Sequence, residues 1–349
     1  MQRRMRPCGG KPAMQKVLVT GVSGYLGCHV AKALVDAGYT VRGTVRDHKW
    51  DEAITAAVGA PVEFVQVDLA EGTQDEWDKA AAGCEWACHV ASPFFIAEPK
   101  DPNELIVPAV EGTTKVLRAC AKARMKRVVL TSSTAAISRG AKQTPYSEAD
   151  WSDPEKSGTY QKSKTLAERA AWDLARDTGL ELVSVNPSAI FGPPLLPRVG
   201  ETGGLVKRLL ERKLPGIPKV SLDMVDVRDV ALAHVRALEV PAAAGRRFLL
   251  NAESVWMGDV ARWLKEGMPD YNVPTRAIPY AAAWLVSFVD PQARSVLTTW
   301  GVMRHYDASS ARDVLGFTSW RPMRGSVVEM AEAMVTHGLI DASAARQKK

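Results

Sequence analysis

The sequence predicts an α/β protein: a doubly wound parallel sheet with a smaller α+β lobe toward the C-terminal end. Three observations carry this. Short apolar runs alternate with helical patterns through the first 190 residues, with short loops between them. The first run flows directly into a glycine-rich turn and then a helix. Composition and periodicity change after Gly192, where Pro, Gly and Leu accumulate.

Bulk properties bound the class. The chain has 349 residues, 46% of them apolar and 24% charged, and a net charge of +6. That length suits one large domain or a nucleotide domain with a smaller partner. The Lys and Arg residues are spread out apart from Arg3, Arg4 and Arg6, so nucleic acid is not an expected partner. Cys8, Cys28, Cys84, Cys88 and Cys120 are odd in number and scattered, which reads as reduced thiols of a cytoplasmic protein. Neither the cysteines nor the six histidines show metal-ligand spacing, so no metal is expected. No apolar run reaches the about 18 to 20 residues of a membrane span. The longest, 279–289, reads as a core helix or part of an apolar substrate pocket. Residues 1–13 read as a disordered basic leader, with a mitochondrial-type presequence as the alternative.

In order, Lys16–Thr20 is a buried strand by composition. Gly21, Val22, Ser23, Gly24, Tyr25, Leu26 and Gly27 follow, then a helical pattern closed by Gly38. Strand, glycine turn and helix together point to a dinucleotide site. Gly21 permits the tight turn, Gly24 lets backbone N–H groups approach a pyrophosphate, and Gly27 lets the helix pack closely. The anion would rest at the helix N-terminus, with Ser23, Tyr25 and Leu26 as further contacts. The same stretch misses the Gly-x-Ser-x-Gly hydrolase elbow, because Tyr25 holds the last position.

The second strand, 40–45, ends at Arg46. A basic residue there suits a ribose 2′-phosphate, and the acid that would hold a free 2′-hydroxyl is displaced to Asp47. Arg42, Arg46 and Lys49 therefore favour NADP(H), although Arg42 and Lys49 also fit as solvated charges. The third strand, 62–67, ends in Asp68 and Leu69; Asp68 would accept from adenine or cap the helix starting near Thr73. The fourth, 86–91, brings Val90, Ala91 and Ser92 to the cofactor edge. A helix covers 103–123, and the fifth strand, 127–131, ends in Thr131, Ser132 and Ser133.

Tyr160 opens a helix running to about residue 175, with Lys164 one turn further on the same face. A phenol beside an ammonium can serve as a proton donor, because a nearby cation lowers a tyrosine pKa from its usual ~10. The sixth strand, 181–185, ends in Asn186, Pro187 and Ser188, followed by Phe191. Beyond it, 193–225 reads as irregular, 227–238 as a helix and 247–251 as a strand. The domain reading is a nucleotide domain over 14–192, a substrate lobe over 193–340 with about 220–255 returning to the first domain, and a tail from 341. Trp256, Trp263, Trp284, Trp300 and Trp320 are half of the ten tryptophans and read mostly as core.

Taken together, Gly21-x-x-Gly24-x-x-Gly27, Thr131-Ser132-Ser133, Tyr160-x-x-x-Lys164 and Asn186-Pro187 resemble the extended short-chain dehydrogenase/reductase family. The resemblance covers nearly the whole chain and implies a Rossmann-type sheet. The stretches 41–47, 89–93 and 185–187 are most similar to the dihydroflavonol reductase, cinnamoyl-CoA reductase and methylglyoxal reductase-like group. It implies an NADPH-dependent reductase of aldehydes or ketones, with Arg46 on the 2′-phosphate. Tyr160 would be the general acid, Lys164 its modulator and ribose ligand, and Ser133 the group that orients the carbonyl oxygen; Ser132 is the alternative to Ser133. Ser92, Phe94, Ser133, Tyr160 and Phe191 are the candidate substrate contacts, and a wall from Ser138 through Phe191 to Trp284 would shape the pocket. Monomer and homodimer are both compatible.

Three departures stand out. Ala109 occupies the place of a relay asparagine, Ser138 that of a specificity asparagine, and Ser157-Gly158-Thr159 that of a tryptophan-containing signature. A broad carbonyl reductase fits these better than either plant substrate. The competing readings are a hydroxysteroid- or sterol-type dehydrogenase and an NADPH-sensing regulator without turnover.

Overall fold

Strand β1 (Lys16–Thr20) is apolar and buried beyond its first residue, so it takes the middle of a sheet covered on both faces. In the computed structural model, which describes residues 15–93, 101–138, 145–288, 294 and 296–341, that sheet has seven strands. The others are β2 (Thr40–Val45), β3 (Val62–Gln66), β4 (Trp86–His89), β5 (Arg127–Thr131), β6 (Leu182–Pro187) and β9 (Arg247–Leu250). Their order is β3-β2-β1-β4-β5-β6-β9 and every pairing is parallel. The chain reverses its winding between β1 and β4, which opens a crevice outside their carboxyl ends.

Helices cover both faces, as parallel strands require. On one face lie α1 (Tyr25–Asp36), α2 (Asp51–Val58) and α7 (Val227–Glu239), whose apolar stripes share a core with β1, β2 and β6. On the other lie α3 (Gln74–Ala81), α4 (Asn103–Lys122) and α5 (Thr159–Thr178). Helices α4 and α5 pack on each other, and both bury small residues such as Ala109, Gly112, Ala167 and Ala171.

The segment after Gly192 is more regular than its composition predicts. It contains α6 (Glu201–Leu210) and β8 (Ser221–Asp226). Gly203 and Gly204 lower the helix propensity of α6, and burial of Val206, Leu209 and Leu210 overrides that. With β7 (Ala189–Phe191) and β10 (Glu253–Trp256), β8 builds a second sheet in the order β10-β8-β7. Its core takes in α8 (Met257–Gly267) and α11 (Met323–Thr336), whereas α10 (Ser309–Leu315) buries Ala311 and Leu315 in the core of the large sheet.

Two expectations for this lobe need correcting. The apolar run 279–289 is no core helix: α9 (Tyr280–Val286) lies at the surface, with Tyr280, Trp284 and Leu285 exposed. Its Ala283 and Val286 line an apolar cavity of about 630 Å³ that shares no residue with the cleft around Tyr160. Of the five late tryptophans only Trp263 and Trp320 pack against a core, both half-buried, and Trp284 is exposed; the fully buried indole is Trp77. Among the described residues, no helix is long and apolar enough to cross a membrane.

Candidate active site

Two cavities meet at the carboxyl edge of the large sheet, both lined by Tyr25. The first, about 400 Å³, follows the crevice between β1 and β4 and is lined by Gly21, Ser23, Gly24, Leu26 and Gly27. Gly21 has a φ of 67°, where a side chain is strained. A Cβ on Gly27 would stand 2.2 Å from the Gly21 carbonyl oxygen, so only glycine lets α1 begin this close to the turn. Gly24 N donates to Gly21 O at 2.9 Å, and Gly24 is the N-cap residue of α1. The free N–H groups of that first turn are a ready anion site.

The strand ends supply the remaining walls. Val90, Ala91 and Ser92 come from β4, and Asp68 and Leu69 from the end of β3. Thr20 Oγ1 accepts from Val90 N and Ala91 N, both at 3.0 Å, and therefore gives its own proton to His89 Nδ1 at 2.8 Å. That fixes His89 as the Nε2–H tautomer, and burial lowers its pKa to about 3. Asp68 Oδ1 accepts from Ala70 N and Glu71 N, so it closes its own turn; the α3 cap is Thr73.

Among the candidate cations only Arg46 lines this cavity. Arg42 is committed to Glu63, Ala80 O and Ala82 O. Lys49 stands over the Trp50 ring at 5.4 Å, outside the lining. Arg198 lines the cavity beside Arg46, and nothing in its Pro-rich sequence context signals it. The glycine cradle, the helix terminus and this basic end fit an extended, phosphorylated dinucleotide. Among the described residues no group of side chains could hold a metal ion.

The second cavity, about 410 Å³, brings together Thr131, Ser133, Tyr160, Lys164, Pro187 and Ser188. Tyr160 sits in the first turn of α5 and keeps 36% of its surface open to the cleft. Its hydroxyl end is enclosed, and burial pushes the phenol up to about 12. The Glu201 carboxylate adds to the rise and the Ser133 hydroxyl works against it. The net shift is upward, so burial outweighs the lowering expected from Lys164. The Lys164 ammonium instead donates to Ser92 Oγ at 3.0 Å. Burial lowers Lys164 to about 8, against the pull of Glu168 and Glu201.

Beneath Lys164 lies a group that sequence reasoning missed. Glu168, one helical turn further along α5, is 1% exposed. Its carboxylate accepts from Ser132 Oγ (2.6 Å), Ser184 Oγ (2.8 Å), Asn186 Nδ2 (2.8 Å) and Arg247 Nε (2.7 Å). Burial alone would raise its pKa, but Arg247 and the hydroxyl and amide donors hold it below the usual carboxylate range. Asn186 also donates to Ser133 O at 3.2 Å, so Asn186 supports the site without lining either cavity. The one sequence signal is spacing: Tyr160, Lys164 and Glu168 recur every four residues.

The expected substrate contacts divide. Ser133, Tyr160 and Ser138 line the cleft, and Ser92 lines the adjoining cavity. Phe191 does not: it is fully buried in the core of the small lobe, because β7 turns its side chain away from the cleft. Trp284 lies on the exposed face of α9, and Phe94 lies outside the described residues. The far wall is built by Glu201, Thr202, Asp223, Arg304 and Tyr306, none of them foreseen. Tyr306 OH donates to Asp223 Oδ2 at 3.1 Å and also meets Ser138 Oγ at 2.8 Å.

A glycine-cradled dinucleotide cavity opening onto a Ser133–Tyr160–Lys164 cleft agrees with the comparison against family models. Residues 17–251 match the NAD dependent epimerase/dehydratase family. The chain belongs to this family. Cinnamoyl-CoA reductase 1 of Arabidopsis thaliana is 35% identical over 274 residues, which is 76% of this chain and 78% of the relative. The bifunctional dihydroflavonol 4-reductase/flavanone 4-reductase of Malus domestica is 33% identical, with 75% and 79% covered. Among solved structures, yeast methylglyoxal/isovaleraldehyde reductase Gre2 complexed with NADPH superposes with a TM-score of 0.75. It is 27% identical, with 93% of this chain and 99% of that chain covered.

Proposed function

We infer that this protein is an NADPH-dependent oxidoreductase that reduces an aldehyde or ketone to the alcohol. The observation that carries the reading is the convergence of Ser133, Tyr160 and Lys164 on one cleft that adjoins the dinucleotide cavity. The named relatives are reductases, and the Gre2 structure holds NADPH.

When bound, NADPH supplies the hydride that reduces the substrate's carbonyl carbon. The chain's residues do the rest. Ser133 and Tyr160 offer hydroxyls at the place where the carbonyl oxygen gains charge. Tyr160, protonated throughout the neutral range, is the proton donor to that oxygen. Lys164 carries positive charge below about pH 8 and favours the phenolate left behind. Glu168 fixes Lys164's helix against the strand ends that carry Ser132 and Asn186. The Gly21–Gly27 turn would hold the pyrophosphate and Arg46 the 2′-phosphate, since both line the dinucleotide cavity. All these groups come from one chain, so the reading needs no partner subunit. The buried free thiols Cys28, Cys84, Cys88 and Cys120 suit a reducing, cytoplasmic compartment.

The test is consumption of NADPH and of NADH by the purified protein with a panel of aldehydes, ketones and sterols. Turnover with carbonyl compounds and a preference for NADPH are expected. A preference for NAD with sterol alcohols would favour the hydroxysteroid reading. Cofactor binding without any turnover would favour the regulator.

A further inference from the structure

The segment after β7 touches both cavities. It is laced to α1 and α11: Tyr25 OH donates to Gly192 O at 2.7 Å, His29 Nε2 to Pro193 O at 2.9 Å, and His337 Nε2 to Pro194 O at 3.2 Å. Arg198 then turns into the dinucleotide cavity, where Nη1 donates to Ser23 O at 3.1 Å and the guanidinium lies 5.8 Å from the Trp50 ring. Three residues later Glu201 begins α6, and Glu201 and Thr202 face Tyr160 and Lys164 across the substrate cleft.

Arg46 and Arg198 line the same cavity although they are 152 positions apart, 198 less 46. Burial and the nearby Arg46 charge both make the protonated state of Arg198 costly, with Asp47 partly offsetting them. That one acid is already engaged, since Asp47 Oδ1 accepts from Lys49 N at 3.1 Å. Two guanidiniums held together beside a glycine turn make an arrangement that a dianion would relieve. One phosphate monoester offers enough oxygens to accept from both forks.

We propose that Arg198 is a second ligand of the cofactor's 2′-phosphate, acting with Arg46, and that this contact fixes the segment that carries Glu201 and Thr202 into the substrate cleft. This rests on the NADPH reading. It adds a residue from outside the glycine turn and β2, and it makes the phosphorylated cofactor part of what shapes the cleft. A cofactor without the 2′-phosphate would leave the two guanidiniums unrelieved and the 198–202 segment less constrained.

The experiment measures equilibrium binding of adenosine 2′,5′-bisphosphate and of ADP by calorimetry, to the full chain and to Arg198→Gln. The loss of a charge-assisted contact predicts about 10- to 100-fold weaker bisphosphate binding. ADP binding should stay within about two-fold, since its pyrophosphate is held by the glycine turn. Arg198→Lys should recover part of the loss, and matching thermal midpoints would confirm that both variants fold. Equal weakening of both ligands would overturn the proposal, because Arg198 would then serve the pyrophosphate or the loop. Unchanged binding would also overturn it. A wild-type protein that binds adenosine 2′,5′-bisphosphate no tighter than AMP, which differs from it only by the 2′-phosphate, would instead refute the NADPH reading itself, a distinguishable failure. For the second clause, the KM of Arg198→Gln for an aldehyde or ketone of the panel that the wild-type protein turns over, at saturating NADPH, should rise several-fold, and an unchanged KM would remove the coupling.

Discussion

Arg247 Nε donates to Glu168 Oε1 at 2.7 Å, and Nη2 of the same guanidinium donates to Oε2 at 3.2 Å. The planar fork matches the carboxylate, and its face lies 3.7 Å over the Trp151 ring. Arg247 Nη1 also donates to Glu148 O and Asp150 O, so one side chain ties β9 to α5 and to the loop before it. Both charged groups are almost wholly buried. Removing one leaves the other uncompensated, which costs of order 3–5 kcal/mol. Denaturant titration should therefore show a loss of that size for Glu168→Ala and for Arg247→Met. The double variant should lose less than the sum of the two, because each single change already breaks the same pair. Additive losses would show that the two side chains stabilise separate parts of the fold.

Tyr160→Phe removes the proposed proton donor while keeping the ring that packs in the first turn of α5. Turnover should fall by about 10²–10⁴, with NADPH affinity and thermal midpoint unchanged. Ser133→Ala should cost about 10²–10³. Steady-state kinetics beside a cofactor titration separate these outcomes. A Phe variant with wild-type turnover would assign the proton transfer to another group.

Three buried histidines set the response to mild acid. Burial lowers His89 to about 3 and His29 and His234 to about 4. Each is depressed below its unfolded value, so folding favours the neutral ring. The stabilisation is complete above about pH 6.5 and drains as the pH falls from there toward 4 and 3. Each histidine contributes about 1.4 kcal/mol per pH unit across that window. The thermal midpoint should thus begin to drop between pH 6.5 and 5, above the range where ordinary carboxylates titrate. His234 accepts from Thr131 Oγ1 at 2.7 Å and donates to Val230 O at 2.8 Å. A His234→Gln variant should show a shallower acid slope, whatever its stability at pH 8.

Gly27→Ala should abolish dinucleotide binding or fold poorly, since its methyl group would meet Gly21 O at 2.2 Å and Val22 Cα at 3.1 Å. Gly59→Ala is the contrasting case. Its Cβ meets nothing within 4 Å, and its φ of 81° alone makes the change unfavourable. Calorimetry with NADPH on both should show loss of binding only for Gly27→Ala.

What the sequence disclosed follows from how far each signal reaches along the chain. Strand, glycine turn and helix over 16–36 lie together in sequence, and the fold repeats them as read. The Tyr160–Lys164 helix was legible for the same reason. The small sheet was not: β7 has three residues, and β8 finds its partners at 189–191 and 253–256. Glu168 carries no local signal, because what explains its burial is Arg247, 79 residues away. Arg198, 175 residues from the Ser23 carbonyl it meets, was equally invisible. The apolar run of α9 misled in the other direction, because composition alone cannot say which face of a short helix is covered.

Strand β9 has a consequence for the order in which this molecule can be made. Residues 16–191 already hold six of the seven strands, the glycine turn and the Tyr160 helix. Yet a nascent chain that has reached only Gly192 carries Glu168 without its guanidinium and β6 without its edge partner. The half that carries the candidate site therefore closes only after about sixty further residues, strand β8 of the small sheet among them, have emerged. The two lobes are interleaved in synthesis as well as in space, and neither is a module that could be cut out and passed on alone.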